Sequence, residues 1–485
     1  APMTATLRVG EARGRWVLLA TVLGSSMAML DSTVVNLALP RIADDLDASF
    51  AGLQWILNGY TLALAALILV GGGLGDRYGR RRMFVTGAIA FTVASVFCAV
   101  AVNVPMLVGA RVAQGVAAAI LTPGSLAIIE ASFAPEDRGR AIGAWSGLGG
   151  VATAIGPFLG GWLVDAASWR WIFLLNVPLG AAVVAVAVRH VPESRDPHAD
   201  GRVDVPGAVL GALALAGLTL GLTQESWWLA GAGVVGLAAF VLVERRTARP
   251  LVPLGLFSSP TFSGTNAVTL LLYGALGVVF FLLGLVLQGP LGYTPLQAGA
   301  ATVPITLAML LLSARAGALA ERIGPRIPMT VGPLVVAVAM LLLTRIDASS
   351  EYWTDVFPGI VVFGLGLALT VAPLTATALG AVDDEHAGVA SGVNNAVART
   401  GQLLAVAAIP VVAGFAPGEP VGTDELLDGF ATVMRAAAAT AVVAALVAVL
   451  TVRRPLGAAA VEPSPWHCAA GGPPSVAEPV GRGSR

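Results

Sequence analysis

A chain of 485 residues that is 56% hydrophobic and only 12% charged lies outside the range of soluble proteins, which carry roughly 25% charged residues. Its formal net charge of -1 conceals a one-sided choice of base, because all 28 Lys and Arg positions are Arg. This excludes a catalytic lysine or lysine Schiff base, and no basic, aromatic-interleaved stretch suggests nucleic acid.

Apolar runs of at least about 18 residues mark helices long enough to cross a bilayer. In chain order they fall at 16–39, 52–73, 83–103, 106–129, 140–164 and 171–189, then at 206–223 and 227–243. Six more follow at 262–287, 296–316, 327–345, 353–379, 387–414 and 429–452. The spacing predicts fourteen spans. The first run is about 24 residues, or roughly 36 Å. It is too long for a signal-peptide core and has no small-residue cleavage site, so it is expected to remain as a span.

Asp31 sits inside that first run, in Leu30-Asp31-Ser32-Thr33-Val34-Val35-Asn36. An ionised carboxylate near the centre of a membrane helix costs on the order of 2.5–3.5 kcal/mol, so it should face protein or a wet cavity. An amide could join two helices without that cost. Asn36 therefore reads as a helix–helix hydrogen bond or a cavity residue, and Asp31 as the candidate proton carrier.

Arg placement orients the chain. With the N-terminus inside, 21 Arg fall in cytoplasmic segments, against Arg41, Arg170 and Arg345 outside. That asymmetry is the positive-inside pattern, and it places both termini in the cytoplasm. The chain also repeats. Gly72-Gly73-Leu74-Gly75-Asp76-Arg77-Tyr78-Gly79-Arg80-Arg81 follows span two, and Gly317-Ala318-Leu319-Ala320-Glu321-Arg322-Ile323-Gly324-Pro325-Arg326 follows span ten. The offset of 245 residues exceeds what two successive six-helix halves need, so spans seven and eight read as an inserted pair. Parallel repeats of this kind build two bundles around a central cavity.

The expected organisation is an all-α membrane protein. It comprises an N-terminal segment 1–15, a six-helix bundle 16–189, a cytoplasmic loop 190–205, an inserted helix pair 206–249, a second six-helix bundle 250–452 and a disordered cytoplasmic tail 453–485. His467 and Cys468 in the tail lack the further ligands that a metal site needs. Cys98 lies in an apolar run, and neither cysteine has a plausible disulfide partner.

The Gly72–Arg82 segment resembles the signature loop of the major facilitator superfamily, which latches the two bundles in one state. The resemblance makes Gly72, Asp76, Arg77, Gly79 and Arg80 gating residues, with Glu321 and Arg322 in the second copy and Arg138 as a partner from the next loop. Arg111-Val112-Ala113-Gln114-Gly115 resembles the superfamily's intramembrane Arg motif. A buried guanidinium cannot lose its proton and needs a partner. Arg111 lies about 8 Å and Asp31 about 13 Å from the outer ends of their spans, close enough to pair. Such a pair could equally be a static structural one.

Gly147-Leu148-Gly149-Gly150 and Gly156-Pro157-Phe158-Leu159-Gly160-Gly161 resemble the antiporter motif of exporters. Close helix packing and a bend follow from the glycines and proline themselves; export is implied only by the likeness. The segment Leu30–Pro40 is similar to the first-helix signature of fourteen-helix drug:proton antiporters, as are Ser168–Pro178 and Gly292–Gly299. The resemblance runs from about residue 15 to 452.

Candidate cavity residues are Asn36, Asn58, Tyr60, Gln114, Tyr273, Asn395 and Arg399. Ser391, Asn395, Arg399 and Gln402 share one face of a helix, which could gate rather than bind. Tyr60 could also be an interfacial anchor. No acid falls well inside spans nine to fourteen, which disfavours dicationic substrates.

The expectation is a bacterial inner-membrane exporter of lipophilic small molecules, monomeric, with no cofactor beyond the proton motive force. The alternative is a flippase for lipids or lipoconjugates. An enzyme is not expected: no nucleophile-plus-base spacing or metal-ligand cluster is present, and His190, His198 and His386 fall in or beside cytoplasmic loops.

Overall fold

A backbone inside a bilayer finds no water, so helices are the form in which an apolar run can satisfy its own amides. The computed structural model describes residues 7–195, 204–247, 250–383, 386–416 and 421–452. The expected disordered tail, with His467 and Cys468, lies outside the described residues, as do Arg202, Arg249 and His198.

The long helices are α1 (Ala12–Leu46), α2 (Phe50–Tyr78), α3 (Arg80–Ala99), α4 (Val104–Ser132), α5 (Pro135–Ala166) and α6 (Arg170–His190, broken at Leu175). Then come α7 (Val205–Thr223) and α8 (Trp227–Arg246). The remainder are α9 (Pro260–Gln288), α10 (Pro295–Ile323, broken at Thr302), α11 (Arg326–Leu343), α12 (Tyr352–Gly380), α13 (Ala387–Ala407) and α14 (Thr423–Thr451). Thirteen helices among the described residues are long and apolar enough to cross a membrane. The exception to the expected fourteen is α13, which is helical but carries Asn394, Asn395, Arg399 and Gln402.

Local chemistry starts several of these helices. Ser49, Asn103, Asp204 and Ser259 each accept the backbone N–H three residues on, at α2, α4, α7 and α9. Thr294 and Gln297 form a reciprocal capping box at α10. Ahead of α1, the Leu7 N–H donates to the Ser132 carbonyl at 2.8 Å and Val9 N–H to Asp137 at 3.0 Å. The N-terminal strap thus docks on the α4–α5 junction.

Helices α1–α6 and α9–α14 form two bundles. The inserted pair closes on itself through small residues: a Cβ at Gly221 or Gly233 would strike the backbone of Ala230 or Leu218. Helix α7 then lies against α2 and α13, where the two bundles meet. Near the Arg-rich end of this hairpin, Asp204 Oδ2 and Glu244 Oε1 are buried without hydrogen-bond partners among the described residues and face each other beside Gly207. An amide at position 244 would supply the N–H that neither carboxylate has. Glu244→Gln is therefore expected to raise the thermal midpoint of the purified protein by about 1 kcal/mol of stability. Glu244→Ala, which removes the acceptor for the Val252 N–H (2.9 Å), is expected to lower it. Equal losses in both variants would show that the second carboxylate is itself required.

The bundles join at the end remote from the Arg-rich loops. One apolar cluster there runs from Val34, Leu39 and Ile56 to Phe281, Val286 and Ala298. Toward the Arg-rich end the cores are largely separate: Phe84, Phe91 and Phe133 belong to the first bundle, and Val268, Met329 and Leu374 to the second. The main crossing that persists is α2 on α13, where Leu69 packs with Ala390 and Val393.

Candidate functional site

The first bundle assembles its polar centre from five helices. Asp31 of α1 and Arg111 of α4 form an ion pair with both side chains 1% exposed. Burying two charges is unfavourable unless their remaining hydrogen bonds are also met. Gln114, one turn from Arg111, donates from Nε2 to Asp31 Oδ1 at 2.7 Å and to Ser95 Oγ of α3 at 2.9 Å. Asn176 of α6 donates to Asp31 Oδ1 at 3.3 Å and to Ser95 Oγ at 3.2 Å. The guanidinium also has neutral acceptors: Nη1 donates to Gln114 Oε1 at 2.6 Å and Nε to the Ile56 carbonyl of α2 at 3.1 Å. The Tyr60 ring centroid lies 4.4 Å from the guanidinium carbon and the Phe173 centroid 5.8 Å, both within cation–π range. Arg111 could stay solvated here with or without a charge on Asp31.

Sequence reasoning named Asp31, Arg111, Gln114 and Tyr60 but overlooked Ser95 and Asn176. The available signal was an amide, Asn176, inside an apolar run. Asn36, named instead, donates to the Ser32 carbonyl of its own helix at 3.0 Å. Its backbone carbonyl lies 3.1 Å from where a Cβ at Gly284 of α9 would be, at the bundle junction.

At the first signature loop, Arg80 Nε donates to Asp76 at 2.9 Å, one helical turn away. Arg138, expected as a partner from the next loop, donates through Nε to the Phe133 carbonyl at 3.1 Å and holds the α4–α5 turn. The nearer i,i+4 partner satisfies the acid first. Arg77 lies over the Tyr78 ring at 5.1 Å. Gly79 adopts φ +111°, a left-handed conformation suited to glycine, and Glu193 fills the space a Cβ would need. Arg81 pairs with Glu193 at 3.6 Å, tying this loop to the end of α6. Gly72 has only Pro123 of α4 near its missing side chain, at 3.7 Å. In the second copy, Glu321 and Arg322 are exposed and form no ion pair among the described residues.

Helix α5 continues through Pro157. A Cβ at Gly156 would meet Thr33 and Leu30 of α1, and one at Gly160 would meet Val34. Gly161 abuts Pro295 of α10, and Gly299 abuts the Pro157 carbonyl. Gly139, Gly143, Gly147 and Gly150 continue the same face at helical spacing, yet nothing lies within 4 Å of their Cβ positions. A face that touches α10 at one end and nothing at the other means the bundles diverge toward the Arg-rich loops.

The other cavity residues flank this divergence. Asn58 of α2 is 1% exposed and its Nδ2 has no partner. Gln54, one turn earlier, donates to the Val406 carbonyl at 2.5 Å. Arg399 donates to Gln402 Oε1 at 3.1 Å and has no carboxylate partner among the described residues. Tyr273 of α9 is half-buried next to Gly274, which packs on Gly401 of α13. Asn395 is exposed and donates to the Ser391 carbonyl at 3.1 Å. Its neighbour Asn394 is the one that locks α13 to α9, donating to Asn266 at 3.1 Å and Thr269 at 2.9 Å.

Residues 21–406, and again 267–464, match the sequence profile of the Major Facilitator Superfamily. The tetracenomycin C resistance and export protein of Streptomyces glaucescens is 36% identical over 413 residues, covering 82% of this chain and 76% of that protein. The probable actinorhodin transporter of Streptomyces coelicolor is 38% identical over 415 residues, 81% of this chain and 72% of that one. The puromycin resistance protein of Streptomyces alboniger is 36% identical, covering 83% and 82%. A bacterial homologue of the human lysosomal transporter Spinster, inward-facing and unoccupied, superimposes with a TM-score of 0.65 at 18% identity, covering 92% of this chain and 98% of that chain. An auto-inhibited peptide transporter of the POT family gives 0.68 at 17% identity, covering 91% and 97%. These two structures share the fold.

Proposed function

The chain belongs to the Major Facilitator Superfamily, and we propose that it exports lipophilic or amphipathic small molecules of the drug or antibiotic kind in exchange for protons. It is a transporter rather than an enzyme, a multi-pass protein of a bacterial plasma membrane. Its relatives are named a tetracenomycin C resistance and export protein, a probable actinorhodin transporter and a puromycin resistance protein, which supports export of such compounds. None of these is described as a lipid carrier, so drug export is preferred to lipid flipping.

The observation that carries proton coupling is the Asp31–Arg111 pair with its neutral reserve of acceptors. A proton on Asp31 would cancel its attraction for Arg111, while Gln114 Oε1, the Ile56 carbonyl and the Tyr60 ring keep the guanidinium in place. Helices α1, α3, α4 and α6 would then be free to shift against one another without stranding a bare cation. One charge crossing 100 mV is worth about 2.3 kcal/mol, enough for roughly fifty-fold accumulation. The proton gradient is the sole energy source in this scheme, and no cofactor is required.

The arginine bias supports both termini in the cytoplasm and α13 as a fourteenth span, shielded from lipid by α2, α7 and α9. With that orientation the bundles part toward the cytoplasm, an inward-facing arrangement. Two complete bundles in one chain support a monomeric transport unit. The signature-loop residues Asp76, Arg77 and Arg80 would gate by releasing contacts across this end.

The test is efflux of a lipophilic fluorescent dye from proteoliposomes, for wild type and Asp31→Asn, with and without an imposed proton gradient. Wild type is expected to respond to the gradient, and Asp31→Asn to bind dye without responding. Gradient-driven efflux by Asp31→Asn would remove Asp31 from the coupling role.

A further inference from the structure

The second bundle carries a charge that the coupling scheme leaves unused. Arg399 stands half-buried on α13, where α2 and α9 approach the divergence of the two bundles. Its counterion is missing by composition as well as by geometry. No Asp or Glu occurs from residue 260 to 320, from 357 to 380 or from 387 to 407. The deep acid of the first bundle, Asp31, is already committed to Arg111, Gln114 and Asn176. Among the described residues Arg399 has one acceptor, Gln402 Oε1, for its five N–H groups.

The groups around it are donors too. Helices α2 and α13 run antiparallel, with Gln54 on the Val406 carbonyl and Leu69 against Gly392. One turn along from the first contact brings Asn58 to the level of Gln402, the residue that accepts from Arg399. Asn58 Nδ2 is buried without an acceptor. Tyr273 of α9 adjoins Gly274, whose Cβ position meets the Gly401 carbonyl of α13 at 3.2 Å. The cluster offers several N–H and O–H donors around one cation and no carboxylate.

We propose that Arg399 and Asn58 form the substrate-recognition site and that they select molecules bearing an anionic oxygen: a carboxylate, enolate or phenolate on an apolar ring system. A planar guanidinium pairs with such a group through charge-assisted, directional hydrogen bonds. Asn58 supplies a further donor, and Tyr273 adds flat apolar area for the rings. The inference rests on the export reading for its meaning, but binding can be measured without transport. An anion leaving as a proton enters moves two charges in the direction the membrane potential favours, whereas a monocation would move none.

The experiment is fluorescence anisotropy on the full chain in phosphatidylcholine nanodiscs, with no gradient, using two xanthene probes: anionic fluorescein and a cationic rhodamine methyl ester. Wild type is expected to bind fluorescein about tenfold more tightly than the cation, as expected for one charge-assisted contact. Arg399→Gln is expected to lose that factor for fluorescein and leave the cation unchanged or tighter, while Arg399→Lys recovers most of it. Asn58→Leu is expected to weaken fluorescein and spare the cation. Equal weakening of both probes by Arg399→Gln, a wild-type preference for the cation, or binding of neither probe would overturn the proposal. Displacement of fluorescein by added phosphatidylglycerol vesicle lipid would also overturn it, by making the occupant a lipid phosphate. Arg399-dependent fluorescein binding without gradient-driven efflux would uphold the site and refute proton-coupled export. Gradient-driven efflux of the cation alone would do the reverse.

Discussion

Arg111→Leu is expected to be the most damaging single substitution in the first bundle. It removes the cation and leaves Asp31 at 4% exposure with only the amides of Gln114 and Asn176 as donors. Breaking a buried ion pair from one side costs about 3–5 kcal/mol, because the surviving charge stays buried without its partner. The same change empties the site beside the Tyr60 and Phe173 rings and frees the Ile56 carbonyl. Asp31→Asn in the Arg111→Leu background removes the stranded charge, and the amide oxygen can still accept from Gln114 and Asn176. The double variant should therefore recover most of the lost stability and none of the gradient-driven transport. Thermal midpoints of wild type, both single variants and the double variant form a double-mutant cycle that isolates the pair. If the double variant is as unstable as Arg111→Leu, the loss comes from the guanidinium's packing and carbonyl contacts, and the ion pair is not what holds these helices.

How much of this was legible in the chain depends on the cost of each group. Asp31 and Arg111 stand out because a charge in an apolar run must find a partner, and their depths match. Neutral polar groups give no such compulsion. Thr21, Thr61, Thr92 and Ser95 all bond to a carbonyl three or four residues back in their own helix. Only Ser95 among these four also joins the Asp31 network, and its local pattern is no different from the others. Arg138 and Arg80 were both legible as basic neighbours of the signature loop, but that Asp76 takes Arg80, one turn away, is set by the helix that carries them both. The 245-residue offset of the repeats suggests an inserted helix pair, but nothing in the chain indicates that α7 seats on α2 and α13. A stripe of glycines on α5 promises close contact along its whole length. Which part is in contact depends on how the two bundles are tilted, which no local pattern encodes.

That stripe yields the second large effect, with opposite signs at its two ends. At Gly161 a new Cβ would meet the Pro295 carbonyl oxygen at 2.5 Å and Leu296 Cα at 2.9 Å. Gly161→Val would wedge α5 from α10 at the sealed end. Forcing a side chain into a packed contact costs typically about 1–3 kcal/mol, a factor of about 5–150 between two conformations. The penalty falls only on the arrangement in which that end is closed. Gly150 lies on the same face with nothing within 4 Å, so Gly150→Val is tolerated in the present arrangement. It would collide only if α5 and α10 closed at the Arg-rich end. Spin labels placed through Gly143→Cys on α5 and Gly317→Cys on α10, in a background with Cys98 and Cys468 replaced, would report the separation of that end. Gly161→Val should shift the distance distribution toward shorter values, and Gly150→Val should hold it at the longer ones even when substrate or protons are added. Both should slow transport, because each blocks one half of the cycle. A shift of both variants in the same direction would mean that α5 and α10 do not rock about a common contact. Transport would then have to proceed by local gating within one bundle.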